Sequence, residues 1–313
     1  MRRSRIPICL ALVALVAGSA NAQREIPDDN LAYPVLITLG NGNFGSGFFL
    51  NTEDSVYLVT AKHVLFDPTN QHLFDQHATL LSYSKDLSDP TPNRIVLDFA
   101  ILQQAGKVKP HPSQDVVVVQ VFSVISAPPS LPSSNSSAPP QPPGAPPSQE
   151  SSSQAAHPAR NMLPVAGVQI VSYSASGVLG ADISALRTFD KVLVGNEAMV
   201  FGYPNSLGLQ QFPQLDPNRP LLRKGIVAGT NPGKKSIILD CPVYFGNSGG
   251  PVLEMDRGAF STQLSIIGVV DQYVPFLQGG GSQTPTMAFA MQIQTNSGYS
   301  IAIPMDFVLE LVR

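Results

Sequence analysis

The sequence predicts an all-β protein. Short segments rich in valine, isoleucine and glycine recur along the 313 residues, and turn-forming residues separate them. Long windows with the periodicity of an amphipathic helix are scarce, and tryptophan is absent. This length suits one large or two small domains. We therefore expect many short strands arranged in two β-rich halves.

The first 22 residues predict a secretory signal peptide. Three arginines lie within the first five residues, an apolar run covers residues 6–17, and Ala20-Asn21-Ala22 supplies a cleavage site. The apolar run is too short to span a bilayer. We therefore expect a secreted or periplasmic protein with no membrane span. Cys241 is the only cysteine after this cleavage site, so no intramolecular disulfide is expected.

Charge and composition exclude several function classes. Removal of residues 1–22 takes away three arginines and no acidic residue, which moves the formal net charge from −3 to −6. A mildly acidic chain without basic runs argues against a nucleic-acid partner. The Cys/His spacing that zinc sites require is missing, so we expect no metal and no cofactor. The sequence carries no signal for an oligomeric state.

The first half of the sequence predicts strands, and one of them ends next to a candidate catalytic residue. Three early strands are expected at residues 33–39, 45–50 and 55–60, and the third leads into His63. A histidine at a strand end, with small residues around it, is well placed to project into a cleft. His72 and His77 fall in a polar loop and are expected to be solvated, and His111 lies in a Pro-flanked turn where we expect a structural role.

Two aspartates compete as a partner for His63. Asp115 opens a strand of four valines, where a carboxylate among buried neighbours needs hydrogen-bond partners. A histidine Nδ1–H group would be one such partner, and a turn-capping role is the alternative. Asp98 lies in a further strand, expected over residues 94–102, with a similar apolar continuation.

A compositional break then divides the chain. Residues 127–158 are rich in proline, serine, alanine and glutamine, a composition that cannot bury enough apolar surface to offset its ordering entropy. We interpret it as a disordered linker between an N-terminal β domain, residues 23–126, and a C-terminal β domain, residues 159–313. Strands are expected in the second domain around residues 192–204, 222–229, 235–241, 263–270 and 299–304, with a Gly-rich loop at about 278–286 and a helix from Met305 onward.

The second domain also contains the turn Gly246-Asn247-Ser248-Gly249-Gly250. Glycine conformational freedom allows consecutive N–H groups to converge on one point, beside a serine that can act as nucleophile. The α/β-hydrolase elbow has a similar pattern, but there the histidine follows the serine. All five histidines of this chain precede Ser248, which fits the order His, Asp, Ser.

Taken together, these motifs resemble the chymotrypsin-fold (trypsin-like) serine proteases, in particular the bacterial Deg-type (high-temperature-requirement) branch. The motifs occur in the family's order: Gly45-Ser46-Gly47-Phe48, Thr60-Ala61-Lys62-His63-Val64, Asp115-Val116-Val117-Val118, Gly202-Tyr203-Pro204, Gly225-Ile226-Val227, Gly246-Asn247-Ser248-Gly249-Gly250-Pro251-Val252 and Ser300-Ile301-Ala302-Ile303-Pro304. The resemblance implies two six-stranded antiparallel β-barrels with the site between them and a C-terminal helix. It implies that His63 is the general base, Asp115 the orienting acid and Ser248 the nucleophile, with an oxyanion hole formed by the N–H groups of Gly246 and Ser248.

Several residues depart from the family pattern. Asn247 stands where activation-dependent animal proteases carry an aspartate, so activation by a newly cut N-terminus is not expected. Tyr244-Phe245 replaces the Asn-Pro that usually precedes the glycine turn, which bears on the resting shape of the oxyanion loop. The Pro-rich insertion is not part of the pattern, and we expect no PDZ domain after the final helix.

The resemblance also locates a substrate pocket. Its walls would be the residues before the nucleophile turn, Pro242 and Val243, and the following strand at Val269 and Val270, none of which is charged. Asp271 is the nearest acid, but strand alternation turns it away from Val270. We therefore expect cleavage of polypeptides after small or medium apolar residues rather than after Arg or Lys.

These observations predict an exported serine endopeptidase that acts on polypeptides through an acyl-enzyme. The first alternative is a catalytically silent, protease-like binding protein of the cell envelope. The second is a structural envelope protein whose Pro-rich tether is its main feature.

Overall fold

The computed structural model describes residues 26, 30, 32–86, 88–125, 162–205, 212–258, 261–284 and 287–313. The expected signal peptide, residues 1–22, and the Pro/Ser-rich segment, residues 127–158, lie outside the described residues. Among the helices that the structure describes, none has the length and apolar character that a bilayer crossing requires.

The described residues form two β-sheets, which confirms the all-β prediction. The strands of the first sheet are β1 (Pro34–Leu39), β2 (Phe44–Asn51), β3 (Ser55–Ala61), β4 (His77–Ser82), β5 (Asn93–Asp98), β6 (Val108–Pro110), β7 (Val116–Val124), β8 (Met162–Pro164), β9 (Val168–Ser172) and β10 (Ala181–Asp182). The strands of the second are β11 (Glu197–Gly202), β12 (Leu221–Asn231), β13 (Ser236–Asp240), β14 (Pro251–Arg257), β15 (Thr262–Thr284) and β16 (Met287–Pro304). The described helices are α1 (Lys62–Leu65), α2 (Phe99–Gln104) and α3 (Met305–Val312), with 3₁₀ turns at Ile183–Ala185 and Phe189–Lys191.

The first sheet has ten strands rather than the expected six. Its main path runs β6-β7-β3-β2-β1-β4-β5-β9, with β8 paired to β7 and β10 paired to β2. Residues 162–182, which the sequence analysis assigned to the second domain, thus belong to the first sheet. Met162, the first described residue after the Pro/Ser-rich segment, pairs with Val124, which precedes that segment. The described residues on either side of that segment therefore lie side by side in one sheet.

The second sheet is a closed barrel of six strands in the order β11-β12-β13-β16-β15-β14, as the resemblance implies. Strands β15 and β16 continue beyond the barrel as an antiparallel hairpin, in which Gly280 pairs with Met291. The Gly-rich loop expected at 278–286 is therefore largely strand. Pairing with a neighbouring strand supplies the ladder hydrogen bonds that composition alone does not predict.

The site lies where the two sheets pack against each other. Along β7 the valines alternate between two cores: Val117 and Val119 face the core of the first sheet, whereas Val116 and Val118 face a core shared by both sheets. Side chains from the second sheet, such as Leu253 and Val269, enter this shared core together with Met305 of α3. The four-valine run is thus buried on both faces, and Asp115 precedes it at the junction.

A buried ion pair anchors the segment that crosses from the first sheet to the barrel. Arg187 Nη1 donates to Glu254 Oε2 over 2.9 Å, and the Glu254 side chain is fully buried. We expect Arg187→Met to lower the free energy of unfolding by about 3–5 kcal/mol, because it leaves an unpaired carboxylate in the interior. Urea denaturation of the full chain measures this loss.

The exposed pair between Arg257 and Glu197 is the matched control. Arg257→Met should cost about 1 kcal/mol or less, since solvent screens surface ion pairs. Equal, small losses for the two variants would contradict the anchoring role of Arg187.

Candidate active site

His63 and Asp115 are in direct contact. His63 lies in α1, the single turn that follows β3, and Asp115 immediately precedes β7, the strand paired with β3. The His63 Nδ1 atom is hydrogen-bonded to Asp115 Oδ2, and the His63 backbone N–H donates to Asp115 Oδ1 over 2.8 Å. Both carboxylate oxygens therefore fix the histidine, one through the ring and one through the backbone.

His111 shapes the loop that carries Asp115. Its ring is buried, and Nδ1 accepts hydrogen bonds from the backbone N–H groups of Ser113, at 3.2 Å, and Gln114, at 3.0 Å. With Nδ1 as acceptor, Nε2 carries the proton and lies 3.1 Å from Glu310 Oε2 of α3. This histidine has a structural role, as the sequence analysis expected.

Asp98 is engaged elsewhere. Strand β5 ends at Asp98, and the side chain of this residue caps α2 by accepting from the Ile101 N–H over 3.1 Å. Its other oxygen, Oδ2, lies 3.8 Å from Nε2 of the exposed His77. The strand expected through Leu102 is therefore replaced by a helix from Phe99, for which Asp98 supplies the N-cap.

The turn around Ser248 is held by residues of the first sheet. Gly246 and Gly249 have φ angles of +90° and +86°. A Cβ at Gly249 would lie 2.1 Å from the Ser46 carbonyl oxygen, so a side chain is excluded there. Ser46 is fully buried: its N–H donates to the Ser248 carbonyl over 2.9 Å and its hydroxyl to the Gly246 carbonyl over 2.6 Å. In the sequence, Ser46 stands out only as part of the motif Gly45-Ser46-Gly47-Phe48, which does not predict this bridging role.

The peptide between Phe245 and Gly246 has a defined orientation. The Phe245 carbonyl accepts from the Asn205 N–H over 2.8 Å. Since a trans peptide directs its N–H away from its C=O, the Gly246 N–H points to the opposite side. Within the described residues, neither the Gly246 nor the Ser248 N–H has a hydrogen-bond acceptor.

The Ser248 hydroxyl is bound to a backbone carbonyl. It donates to the carbonyl oxygen of Asp271 over 3.0 Å, and no hydrogen bond to His63 is present in the described part of the chain. In this arrangement the Ser248 hydroxyl points its proton at the Asp271 carbonyl rather than at the imidazole.

Asp271 was expected to face outward, whereas the structure places its side chain in the site. The pairing of β15 with β16 shifts register between Val270 and Gln272, so Asp271 is the extra residue of a β-bulge. A bulge re-aims the side chains of its strand. One oxygen or nitrogen atom from each of Asp271, Asp115 and His63 lies within 4.8 Å of the other two. The expected outward orientation of Asp271 was wrong, because its carboxyl lies within 4.8 Å of an atom of Asp115 and an atom of His63.

Burial and charge shift the pKa values of all three groups. Burial alone would lower the pKa of His63, but the hydrogen bond and the charge of Asp115, with the charge of Asp271, raise it above its usual value. Burial pushes the pKa of Asp115 upward, but its contacts with His63 leave that pKa below the ordinary range. Burial and the adjacent Asp115 raise the pKa of Asp271 to about 7.

These three residues also make up the described group that has the composition of a cation site. His63 Nδ1 and Asp115 Oδ2 are hydrogen-bonded to each other, which occupies two of the three atoms that a metal would use. The expectation of no metal remains a prediction.

The four residues expected to form a substrate pocket differ in accessibility. Val243, Val269 and Val270 are buried in the cores, and Pro242 is half-buried. Val269 pairs with Pro251 on one side and Ile303 on the other, so its backbone offers no free edge. The exposed apolar side chains near the turn are Tyr244 and Phe245, which the sequence analysis discussed only as a departure from the family pattern.

Comparison with known proteins yields distant structural likenesses. No protein-family model and no curated protein matches the chain. Deg5 is 16% identical, with 92% of this chain and 94% of that chain covered and a TM-score of 0.44. The thermostable serine protease AL20, from an extremophilic microorganism, is 10% identical, with 91% and 96% covered and a TM-score of 0.45. The HtrA-type protease AlgW with a tripeptide is 15% identical, with 90% of this chain covered and a TM-score of 0.40; the chain spans 58% of the AlgW length. Likenesses at this level transfer no residue role to this chain.

Proposed function

We propose that the protein is an exported serine endopeptidase that hydrolyses polypeptides through an acyl-enzyme on Ser248. The observation that carries the proposal is the set of free amides, Gly246 N–H and Ser248 N–H, beside a serine hydroxyl and a histidine oriented by a carboxylate. Free, preorganised N–H groups stabilise the oxyanion that forms when a nucleophile adds to a carbonyl.

The proposed reaction uses the contacts in a fixed order. Ser248 Oγ leaves the Asp271 carbonyl, approaches His63 Nε2 and attacks the scissile carbonyl carbon while His63 accepts its proton. Asp115 keeps the Nδ1–H tautomer and stabilises the imidazolium, and the protonated His63 then donates to the leaving amine. Water hydrolyses the resulting ester with His63 again as base.

The proposed substrate preference is for apolar side chains. Tyr244 and Phe245 are exposed next to the turn, and the guanidinium of Arg223 lies over the Tyr244 ring at 4.5 Å. The Asp271 carboxyl lies within 4.8 Å of Asp115 and His63 and does not supply a fixed partner for a substrate cation. Cleavage after Val, Ala or Leu is therefore proposed over cleavage after Arg or Lys.

A fluorophosphonate probe tests the activation of Ser248. We expect the folded protein to be labelled at Ser248, because only a serine with an adjacent base reacts readily with this electrophile. Mass spectrometry of the labelled peptide identifies the site. Ser248→Ala and His63→Ala should both lose the label, and heat-unfolded protein serves as the negative control.

One observation favours the second candidate, a catalytically silent binding protein: the Ser248 hydroxyl is bound to Asp271 rather than to His63. An unlabelled Ser248 in folded protein would support that candidate and overturn the endopeptidase.

A further inference from the structure

Asp271 contributes both its backbone and its side chain to the site. Its carbonyl oxygen accepts the Ser248 hydroxyl at 3.0 Å, and one of its carboxyl oxygens lies within 4.8 Å of an oxygen of Asp115 and a ring nitrogen of His63. Asp271 is the extra residue of the bulge between Val270 and Gln272, and it follows by two residues Val269, which faces the core shared by both sheets.

A hydrogen bond between two carboxyl groups needs a proton. An ionised carboxylate only accepts hydrogen bonds, so a direct bond between Asp115 and Asp271 requires one of the two to be the neutral acid. Two carboxylates at this separation also repel each other, which opposes ionisation of both. Asp115 already accepts two N–H bonds from His63, and these donors favour its charged form. The proton therefore resides on Asp271.

We propose that Asp271 is a positioning residue, which donates a carboxylic-acid hydrogen bond to Asp115 and thereby holds Asp115 against His63. Asp115 then receives three donors, the ring N–H and backbone N–H of His63 and the O–H of Asp271. This inference deepens the proposed function and rests on it for its catalytic meaning. The hydrogen-bonded arrangement itself can be tested without any substrate.

The groups that face Asp271 determine how its proposed hydrogen bond to Asp115 responds to pH. His63 from α1 and Asp115 from the loop before β7 are the titratable groups that act on it, and β16 places Ile301 and Ala302 opposite the bulge. The pKa of Asp271 is raised to about 7, so the acid form prevails below that pH. Above it, the donor is lost and a second negative charge lies beside His63, which favours the imidazolium.

The first test follows His63 by NMR in the full chain, without substrate. In the wild type we expect the His63 ring signals to titrate in two coupled steps, because the Asp271 carboxyl, whose pKa is raised to about 7, changes its charge beside the ring. In Asp271→Asn we expect one step, displaced to lower pH by roughly half a unit or more, since a neighbouring negative charge is removed. Asp240→Asn, at an exposed acid on β13, should leave the curve unchanged.

The second test measures kcat/KM across pH. Asp271→Ala should lose about 10- to 100-fold at pH 6, the effect of deleting a hydrogen bond to a charged group. Asp271→Asn keeps a hydrogen-bond donor and should lose less of its kcat/KM. The rising limb of its plot of kcat/KM against pH should move to lower pH.

These tests distinguish failure of the inference from failure of the proposed function. A His63 titration that is unaltered in folded Asp271→Asn overturns the role of Asp271, whatever the activity. Equal losses in the Asn and Ala variants, with an unshifted pH profile, also overturn it. Loss of activity in EDTA, with recovery on adding Zn²⁺, would also overturn the inference, because a metal ion rather than a proton would then hold the two carboxyl groups together. If the titrations are coupled but Ser248 is not labelled, the role of Asp271 stands and only the proposed protease activity is overturned.

Discussion

Replacement of Ser248 by alanine is expected to reduce kcat/KM for peptide hydrolysis by about 10⁴-fold or more, to the limit of detection. The side-chain oxygen removed is the atom that would form the covalent intermediate. Among the described residues, the partner of the Ser248 hydroxyl is the Asp271 carbonyl, so loss of the hydroxyl should leave the fold intact. Steady-state hydrolysis of a fluorogenic peptide library by the full chain measures the effect, with circular dichroism as the check on folding.

His63→Ala should cause a loss of similar size, and the double variant should be no worse than either single variant, because residues that act as a unit are not additive. The exposed His72 supplies the matched control, and His72→Ala should keep full activity. Hydrolysis by folded Ser248→Ala above about one hundredth of the wild-type rate would contradict the acyl-enzyme mechanism.

The second large effect is expected at Asp115, where substitution by asparagine should lower kcat by about 10⁴-fold. The amide has nearly the size of the carboxylate, but it cannot hold the Nδ1–H tautomer through both contacts that Asp115 makes with His63. Initial rates at saturating peptide, together with the melting temperature of each variant, separate this catalytic loss from unfolding.

Asp98→Asn is the matched control for that experiment. Asp98 caps α2, and asparagine is an equally good N-cap, so neither stability nor turnover should change by more than a few-fold. If instead Asp98→Asn inactivated the protein and Asp115→Asn did not, the role of orienting acid would move to Asp98.

The sequence was most informative where local pattern and tertiary structure agree. The segments before His63 and after Asp115 are strongly β-forming, and their pairing in the sheet brings the two side chains into contact. The glycines around Ser248 likewise predict a tight turn, which the positive φ angles of Gly246 and Gly249 require.

Long-range features escaped prediction for physical reasons. The position of Asp271 beside Asp115 depends on how the two sheets pack against each other, and the residues next to Asp271 do not encode that packing. The bridging role of Ser46 depends on contacts with Gly246, 200 residues away. The recruitment of residues 162–182 into the first sheet depends on which strand edges are free, a property of the assembled sheet.

The pairing of Val124 with Met162 gives the Pro/Ser-rich segment the topology of a hairpin connection. A peptide bond broken inside it would interrupt the chain without separating the strands on either side. The larger fragment would carry Ser248 and the smaller one His63 and Asp115, joined by β7–β8, β5–β9 and β2–β10 pairing as well as by the shared core. Nicked molecules would thus behave as one particle until denatured, and the two fragments are natural halves for reconstitution from separate polypeptides.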